Sequence, residues 1–463
     1  MKVIVWKSTK SLGLLLCASI ALVSYSTHAQ AADQPNVLII FSDQHRMASF
    51  PGEPYTDVIA PNLQRLAEQG IRFRNGISNY PVCSPFRGML LTGKAPYING
   101  IIDNNIPMTK PGDSVANAFR DNGYKTGYIG KWHIQKGANN ELDEFGFDES
   151  TVWEGTNNHT KSRYWDANAG EWVSTTDYNA IGMADQAVDF LQRNSDDQFL
   201  LYVSFNPPHS NFFDAPIENR RHFRNRDLQE RPNVTSELTG QYTRFANRSW
   251  NDKTHAGYLA HIEALDTQIG RVLAQLEETG HAENTIVIYT SDHGEMMLSH
   301  GRAGKRTPHE ESINIPMVVT WPAKVKPARR SKTLFGAIDI APTILSLAGI
   351  DHDFTFQGKN LADHIVNQSD PGVSYQPLMH IAKENATLGN NHPAERFRGV
   401  RTSRYTYAVL EDGPWLLFDN EKDPYQMNNL IDAAEATEEK SRLHALVKQW
   451  LAEYNDPFIL KED

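Results

Sequence analysis

Val37-Leu38-Ile39-Ile40-Phe41, followed at once by Ser42-Asp43-Gln44-His45, is the stretch that decides the fold. Five consecutive apolar residues cannot alternate between a core and solvent, so the segment reads as a strand covered on both faces, as in a parallel sheet. Phe199-Leu200-Leu201-Tyr202-Val203 and Thr285-Ile286-Val287-Ile288-Tyr289 have the same character, and Lys125-Thr126-Gly127-Tyr128-Ile129 adds a fourth strand. Helical patterns lie between them. Ala60 to Glu68, after Asp57, puts Leu63, Leu66 and Ala67 on one face, and Tyr258 to Leu276 spaces Leu259, Ile262, Leu265, Ile269, Val272 and Leu276 by threes and fours. Strands alternating with helices predict an α/β fold, a largely parallel sheet flanked by helices.

Trp153 to Asn251 is rich in Asn, Asp, Arg and aromatic residues and, apart from the strand and helix it contains, reads as long loops over a binding face. The polar Ser369-Asp370-Pro371-Gly372 stretch opens a boundary region at 370–385. Beyond it, Phe397 to Leu410 and Trp415 to Asp419 read as short strands and Glu435 to Tyr454 as a closing helix. This predicts a main α/β domain over 32–380 and a C-terminal α+β subdomain over 381–463.

Composition narrows the partners. Of 463 residues, 40% are hydrophobic and 22% charged, as in an ordinary globular chain, and 56 acids against 45 lysines and arginines give −11. Such a balance offers no electrostatic footprint for nucleic acid, so an anionic substrate requires cations gathered in one pocket. At the N-terminus, Lys2, Lys7 and Lys10 precede the apolar run Leu12 to Val23 and the small-x-small triplet Ala29-Gln30-Ala31. This is the pattern of a signal peptide over 1–31, and the run is shorter than the roughly 20 residues that span a bilayer. The expectation is a secreted or periplasmic protein without a membrane span. Cleavage removes three lysines and no acid, taking −11 to −14, and removes Cys17. Cys83 then stands alone, so no intramolecular disulfide is possible. Asn-x-Ser/Thr triplets at Asn233 and Asn247 are at the level of chance.

Polar clusters follow the strands. Ser42-Asp43-Gln44-His45, Gly130-Lys131-Trp132-His133, Asn206-Pro207-Pro208-His209 and Ser291-Asp292-His293-Gly294-Glu295 each come directly after an apolar run. In open α/β sheets ligands bind outside the carboxyl ends of the strands, so the four clusters are expected on one rim. Asp43 and Asp292 are natural anchors for a hard cation, with Gln44 adding a carbonyl oxygen and His293 a ring nitrogen. Oxygen-rich sets favour Ca2+ or Mg2+. Taken singly, each Asp pair reads more readily as a helix cap or turn.

Cys83-Ser84-Pro85-Phe86-Arg87 is the specific signal. Pro85 suits the first turn of a helix running through Met89-Leu90-Leu91 to a stop at Gly93. Cys83 is thereby placed at a helix N-terminus, where backbone N–H groups favour an anion, with Arg87 four residues on along the same face.

These residues resemble the signature of the formylglycine-dependent (type I) sulfatases, a family with an alkaline-phosphatase-like fold: Cys-x-Pro-x-Arg followed by Leu91-Thr92-Gly93. The resemblance runs from Pro35-Asn36-Val37 to Leu417-Phe418-Asp419 and Asp423-Pro424. It implies a sulfuric ester hydrolase whose Cys83 is oxidised to formylglycine (3-oxoalanine) by a maturation enzyme. It further implies a metal held by Asp43, Gln44, Asp292 and His293 with residue 83, Ca2+ foremost and Mg2+ or Mn2+ as alternatives. Arg87 resembles the arginine that steadies the formylglycine. Lys131 and His133 match the family's Lys-x-His pair, His209 its histidine after proline, and Lys305 the second sulfate-binding lysine. The family most often has Asp where Gln44 stands, and often Asn in place of His293. The implied chemistry is attack on sulfur by one hydroxyl of hydrated formylglycine, giving a sulfate hemiester. Lys131, Lys305 and the metal stabilise its charge, and His209 or Lys305 protonates the leaving alcohol. His133 then takes the proton of the second hydroxyl, which expels sulfate.

The substrate the resemblance suggests is a sulfated oligo- or polysaccharide, such as an algal galactan or glycosaminoglycan, degraded by a bacterial enzyme. Arg163, His159, Arg302 and His309 are candidate substrate-binding residues. Trp153, Tyr164 and Trp165 offer stacking surface, and Arg306, Arg398 and Arg401 further charge. The alternatives are a phosphate or phosphonate monoester hydrolase, an arylsulfatase, and an inactive glycan-binding homologue.

Overall fold

The computed structural model describes residues 34–134, 141–167, 169–235, 248–382 and 395–460. The signal-peptide reading and Asn247 fall outside the described residues. The strands of the main sheet are β1 (Asn36–Ser42), β2 (Ile71–Ile77), β3 (Lys125–Lys131), β4 (Glu149–Trp153), β5 (Ser162–Asp166) and β6 (Glu171–Thr175). They continue with β7 (Phe199–Ser204), β8 (Thr285–Ser291), β9 (Asn314–Ile315), β10 (Met317–Thr320) and β11 (Arg329–Gly336). Their order is β11-β2-β10-β8-β1-β7-β3-β4-β5-β6, with β9 on β2. The middle, β8-β1-β7-β3-β4, is parallel throughout. Antiparallel pairing is confined to the margins, at β10 and β9 on one side and the β5–β6 hairpin on the other.

β1 shows why its apolar run had to be central. Leu38 and Ile40 enter one core with Leu63, Leu66, Ala187, Leu265 and Ile269, from helices Pro61–Gln69, Asn179–Arg193 and Arg248–Glu278. Val37, Ile39 and Phe41 enter another with Phe86, Met89, Phe119 and Ile344, from helices on the opposite face. Alternate side chains of one strand therefore feed two cores, each worth ~1.5–3 kcal/mol per buried aliphatic side chain. β7 and β8 divide in the same way.

Three expectations change. The helix predicted at Tyr258 begins at Arg248, because its first turns are polar and carry no 3.6-residue signal. Within 153–251, expected to be mostly loop, residues 162–175 form the β5–β6 hairpin, whose half-exposed strands lack an apolar run. The second sheet starts at β12 (Tyr375–His380), ahead of residue 381, and continues through β13 (Phe397–Thr402), β14 (Tyr405–Leu410) and β15 (Gly413–Asp419). This antiparallel sheet packs Val400, Tyr407 and Leu417 with Leu443, Val447 and Trp450 of the closing helix Thr437–Glu453. Its other face meets Ile77, Ile313 and Leu334 of the main body, and residues 34–463 form one compact unit. Among the described residues no helix is long and apolar enough to cross a membrane.

Candidate active site

Parallel pairing brings the ends of β1, β3, β7 and β8 to one rim, and with them Asp43, Lys131, His209 and Asp292. β2 runs antiparallel to β10, and β10 antiparallel to β8, so β2 also ends at this rim. Its continuation, Ser78 to Val82, delivers Cys83 as the first residue of helix Cys83–Thr92, which Gly93 closes in the left-handed conformation. The Ser78 hydroxyl donates to the Asp292 carbonyl at 2.6 Å, joining the two chain ends.

Arg87 is fully buried and organises the centre. Its guanidinium reaches Asp43 Oδ2 at 3.1 Å and Asp292 Oδ2 at 3.2 Å, and donates to the Lys131 carbonyl and Ser204 Oγ, both at 2.6 Å. Lys131 Nζ lies 2.5 Å from Asp43 Oδ2. Gly130, just before it, has φ +113°, and a Cβ there would sit 2.0 Å from the Ser204 carbonyl oxygen. Only glycine lets β3 approach β7 this closely at the rim. Lys305 Nζ contacts Cys83 Sγ at 3.5 Å, Gln44 Oε1 at 2.9 Å and His209 Nε2 at 3.0 Å. His209 donates from Nδ1 to the Ser210 carbonyl at 2.9 Å, so its Nε2 lone pair faces the lysine.

Burial pushes the Cys83 thiol up, but Lys305, Lys131 and His293 pull it well below its ordinary value. The same balance holds Asp43 far below the carboxylate range, burial being outweighed by Lys131, His209 and Arg87. Asp292 is pushed up to about 6 by burial and by the charge of Asp43. His133 falls to about 4 through burial and Lys131 and lies against Cys83 as a neutral base. Gln44 and His133 both have positive φ, +73° and +55°, backbone strain of the kind that clusters where side chains must be aimed.

The donor set fits a cation. Asp43, Cys83, Asp292 and His293 each present one ligand atom, all within 4.8 Å of one another and all buried. His293 donates from Nδ1 to the Gly294 carbonyl at 3.0 Å, which turns its Nε2 lone pair towards Asp292 Oδ1 at 3.4 Å and Asp43 Oδ1 at 3.7 Å. Lone pairs facing one another in a buried space call for a positive charge between them. Gln44 completes the set through Glu295, a residue whose role no local sequence pattern announces. The Gln44 amide nitrogen donates to Glu295 Oε2, leaving its oxygen to face the site. Glu295 Oε1 accepts from the backbone N–H groups of Met297 and Gly304, at 3.2 and 2.6 Å. Tyr258, unforeseen because it is one of many core positions on its helix, donates to the Gln44 carbonyl at 2.8 Å.

The outer candidates are placed differently. His159 is fully buried beneath His209, whose carbonyl it meets at 2.8 Å, and cannot touch substrate. His309 is buried against His300 and Phe418, with Nδ1 on Thr307 Oγ1 at 2.6 Å. Arg163 is exposed but clamped by Glu154 at 2.9 and 3.0 Å and stacked on Trp172. Arg302 is half-buried and has no ion pair among the described residues. Arg306 bridges His380 and Asp103, Arg398 is locked to Asp456, and Arg401 to Glu310. Trp153 is a core residue with Tyr164 stacked on it, and Trp165 packs edge-on against Trp172. Asn233 is buried with its amide engaged by Glu311 and Tyr425, which closes it to glycosylation.

Comparison with known families decides the reaction class. The sulfatase family matches residues 35–350, and the C-terminal region of N-sulphoglucosamine sulphohydrolase matches 299–453. The chain belongs to the sulfatase family. This sulfatase, a sulfuric ester hydrolase, is 32% identical to an ulvan-active sulfatase of Formosa agariphila over 96% of this chain and 88% of that protein. It is 28% identical to an endo-4-O-sulfatase of Bacteroides thetaiotaomicron, over 96% of this chain and 97% of the relative. A Bacteroides fragilis crystal structure described as a sulfatase superposes with a TM-score of 0.81 at 29% identity, covering 92% of this chain and 97% of its own. The alkaline-phosphatase-like fold expected from the signature is the one observed.

Proposed function

We propose that this sulfatase is an exported enzyme that removes sulfate from a sulfated oligo- or polysaccharide, using residue 83 in its formylglycine form beside a divalent cation. The observation that carries the reading is the setting of residue 83. It sits at a helix N-terminus with Lys305, His293 and Asp43 within 4 Å. The relatives that act on ulvan and on 4-O-sulfated substrates support a carbohydrate. Export rests on the basic and apolar N-terminal segment, whose removal would also take Cys17 and leave Cys83 alone. Asp43, Gln44, Asp292 and His293 would hold the cation; a set of three oxygens and one nitrogen favours Ca2+, with Mg2+ or Mn2+ next.

The cation would supply Lewis acidity towards a sulfate oxygen, and hydrated formylglycine the attacking hydroxyl. Arg87, hydrogen-bonded to both carboxylates, keeps the floor of the site rigid. Lys131 and Lys305 bring positive charge to the side where the sulfate oxygens gather, in a water-poor space where such charge counts most. Lys305 and His209, in contact at 3.0 Å, form a donor pair able to hand a proton to the departing alcohol oxygen. His133, held neutral, accepts a proton from residue 83.

The test weighs the tryptic peptide spanning residues 75–87 from enzyme made with a maturation system. Exchange of sulfur for oxygen with loss of two hydrogens is expected. The same enzyme should release sulfate from sulfated galactan or glycosaminoglycan oligosaccharides, and Cys83→Ala should not. Full turnover with an unmodified Cys83 would overturn the formylglycine reading. Turnover confined to nitrophenyl sulfate would make it an arylsulfatase, turnover confined to nitrophenyl phosphate a phosphomonoesterase, and oligosaccharide binding without turnover a lectin-like homologue.

A further inference from the structure

Directly beneath His209 lies a second cluster that none of the sulfatase chemistry uses. His159 comes from the segment after β4, Asp214 from the segment after β7 that also carries His209, and His261 from helix Arg248–Glu278. One ligand atom from each lies within 4.8 Å of the other two.

The outward-facing atom of each is anchored. His159 Nε2 donates to the His209 carbonyl at 2.8 Å, which leaves Nδ1 as a bare lone pair. Asp214 Oδ2 accepts the His159 backbone N–H at 2.9 Å. His261 Nδ1 is 2.8 Å from the Tyr178 hydroxyl. The inward-facing atoms are not anchored to match. His159 Nδ1 is a buried acceptor without a hydrogen-bond partner among the described residues, and Asp214 Oδ1 meets only the long approach of His261 Nε2. His261 Nε2 faces Asp214 Oδ1 at 3.4 Å and the Asn211 carbonyl at 3.0 Å.

Buried acceptors without donors are rare and call for an occupant. Imidazoles fixed through their second nitrogen and a carboxylate fixed through its second oxygen are the support that residues binding a metal directly receive. His261 has an oxygen partner on each ring nitrogen. Its proton can therefore rest on Nδ1, towards Tyr178, and free Nε2 as a ligand with no change in net charge.

We propose that His159, Asp214 and His261 form a second cation site, suited to a borderline divalent transition metal such as Zn2+ or Co2+. Two imidazole nitrogens and one carboxylate oxygen favour such ions over Ca2+. The ion would tie the segment after β4, the His209 segment and the long helix together from below. The site does not depend on the reading of residue 83.

The experiment uses full-length enzyme stripped with a chelator and saturated with Ca2+, titrated with Zn2+ by calorimetry and with Co2+ by visible absorption. A single Zn2+ equivalent and a Co2+ ligand-field band are expected. Both should weaken at least ~10-fold in His261→Asn and in the near-isosteric Asp214→Asn, and survive in Asp292→Asn, which alters the rim instead. Thermal melts verify that each variant is folded, and Asp214→Asn carries the test if His261→Asn is not. No uptake by the Ca2+-loaded enzyme would overturn the proposal and leave the pocket to water. So would uptake indifferent to both substitutions, or uptake lost only in Asp292→Asn.

Discussion

Two groups of cations in this molecule behave in opposite ways. At the rim, Arg87, Lys131 and Lys305 face two carboxylates, Asp43 and Asp292, together with the Cys83 sulfur, and Lys305 has no carboxylate of its own among the described residues. Around the small sheet each arginine has its own acid: Arg398 with Asp456, Arg401 with Glu310, Arg404 with Asp419. A surplus of buried charge is costly and is sustained where an anion will share it; one-to-one pairing leaves nothing to offer a ligand. Arg401, through Glu310, therefore holds the small sheet to the main body, Arg398 and Arg404 tie parts of the C-terminal region to one another, and the rim's cations wait for sulfate.

Substitutions on either side should break the molecule in different ways. Arg398→Met strands the buried Asp456 carboxylate and should cost about 3–5 kcal/mol of stability, read by denaturant unfolding, with kcat of the folded enzyme unchanged. A fall in kcat instead would erase the distinction. Lys131→Ala should do the reverse, lowering kcat by about 10²–10³ with little change in melting temperature.

Glu295→Gln probes the support beneath the rim. Its remaining oxygen stays with the Met297 and Gly304 N–H groups, so its new amino group faces Gln44 and turns that amide's nitrogen towards the cation. Metal affinity by calorimetry should fall about 10–100-fold. The swap Gln44→Glu with Glu295→Gln restores an oxygen at the site and should recover it. A Glu295→Gln enzyme with unchanged affinity would show that Gln44 needs no such aiming.

Acid supplies the next contrast, between paired charges and histidines buried neutral. Burial, helped by Arg46, lowers His255 to about 3. Its contribution to stability is complete above about pH 6.5, where the unfolded imidazole is also neutral, and is lost as pH falls towards 3. His255→Gln should therefore move the acid-unfolding midpoint to lower pH. Arg163→Ala should do least of all: its exposed pair with Glu154 leaves melting temperature and kcat/KM unchanged, and a rise in KM would return it to the substrate rim.

Most of the inner site was legible in the sequence because its residues are tied to a strand end or to the start of one helix; Lys305, in the loop well past β8, came only with the family resemblance. Asp43, Lys131, His209 and Asp292 follow apolar runs, and once those runs pair in parallel their convergence is a matter of topology. The outer residues had no such anchor. His309, Arg398 and Arg401 lie in segments whose neighbours come from far along the chain, and nothing local announced Phe418, Asp456 or Glu310 as their partners; Arg163 meets Glu154 only nine positions away, across the β4–β5 pair. Glu295 stood in plain view two residues after His293, yet its hydrogen bond to Gln44 spans 251 positions.

By itself, then, the sequence determined the α/β sheet, the helix start at Cys83 and the chemical set around it, because apolar runs, a proline in the first turn and a terminal glycine act over a few residues. Tertiary structure decided which cations stay available. It paired Arg306, Arg398 and Arg401 with carboxylates brought from elsewhere, carried the small sheet back to residue 375, and buried His159 with Asp214 and His261. Charge pairing is settled by distance in space, and the sequence states distance only along the chain.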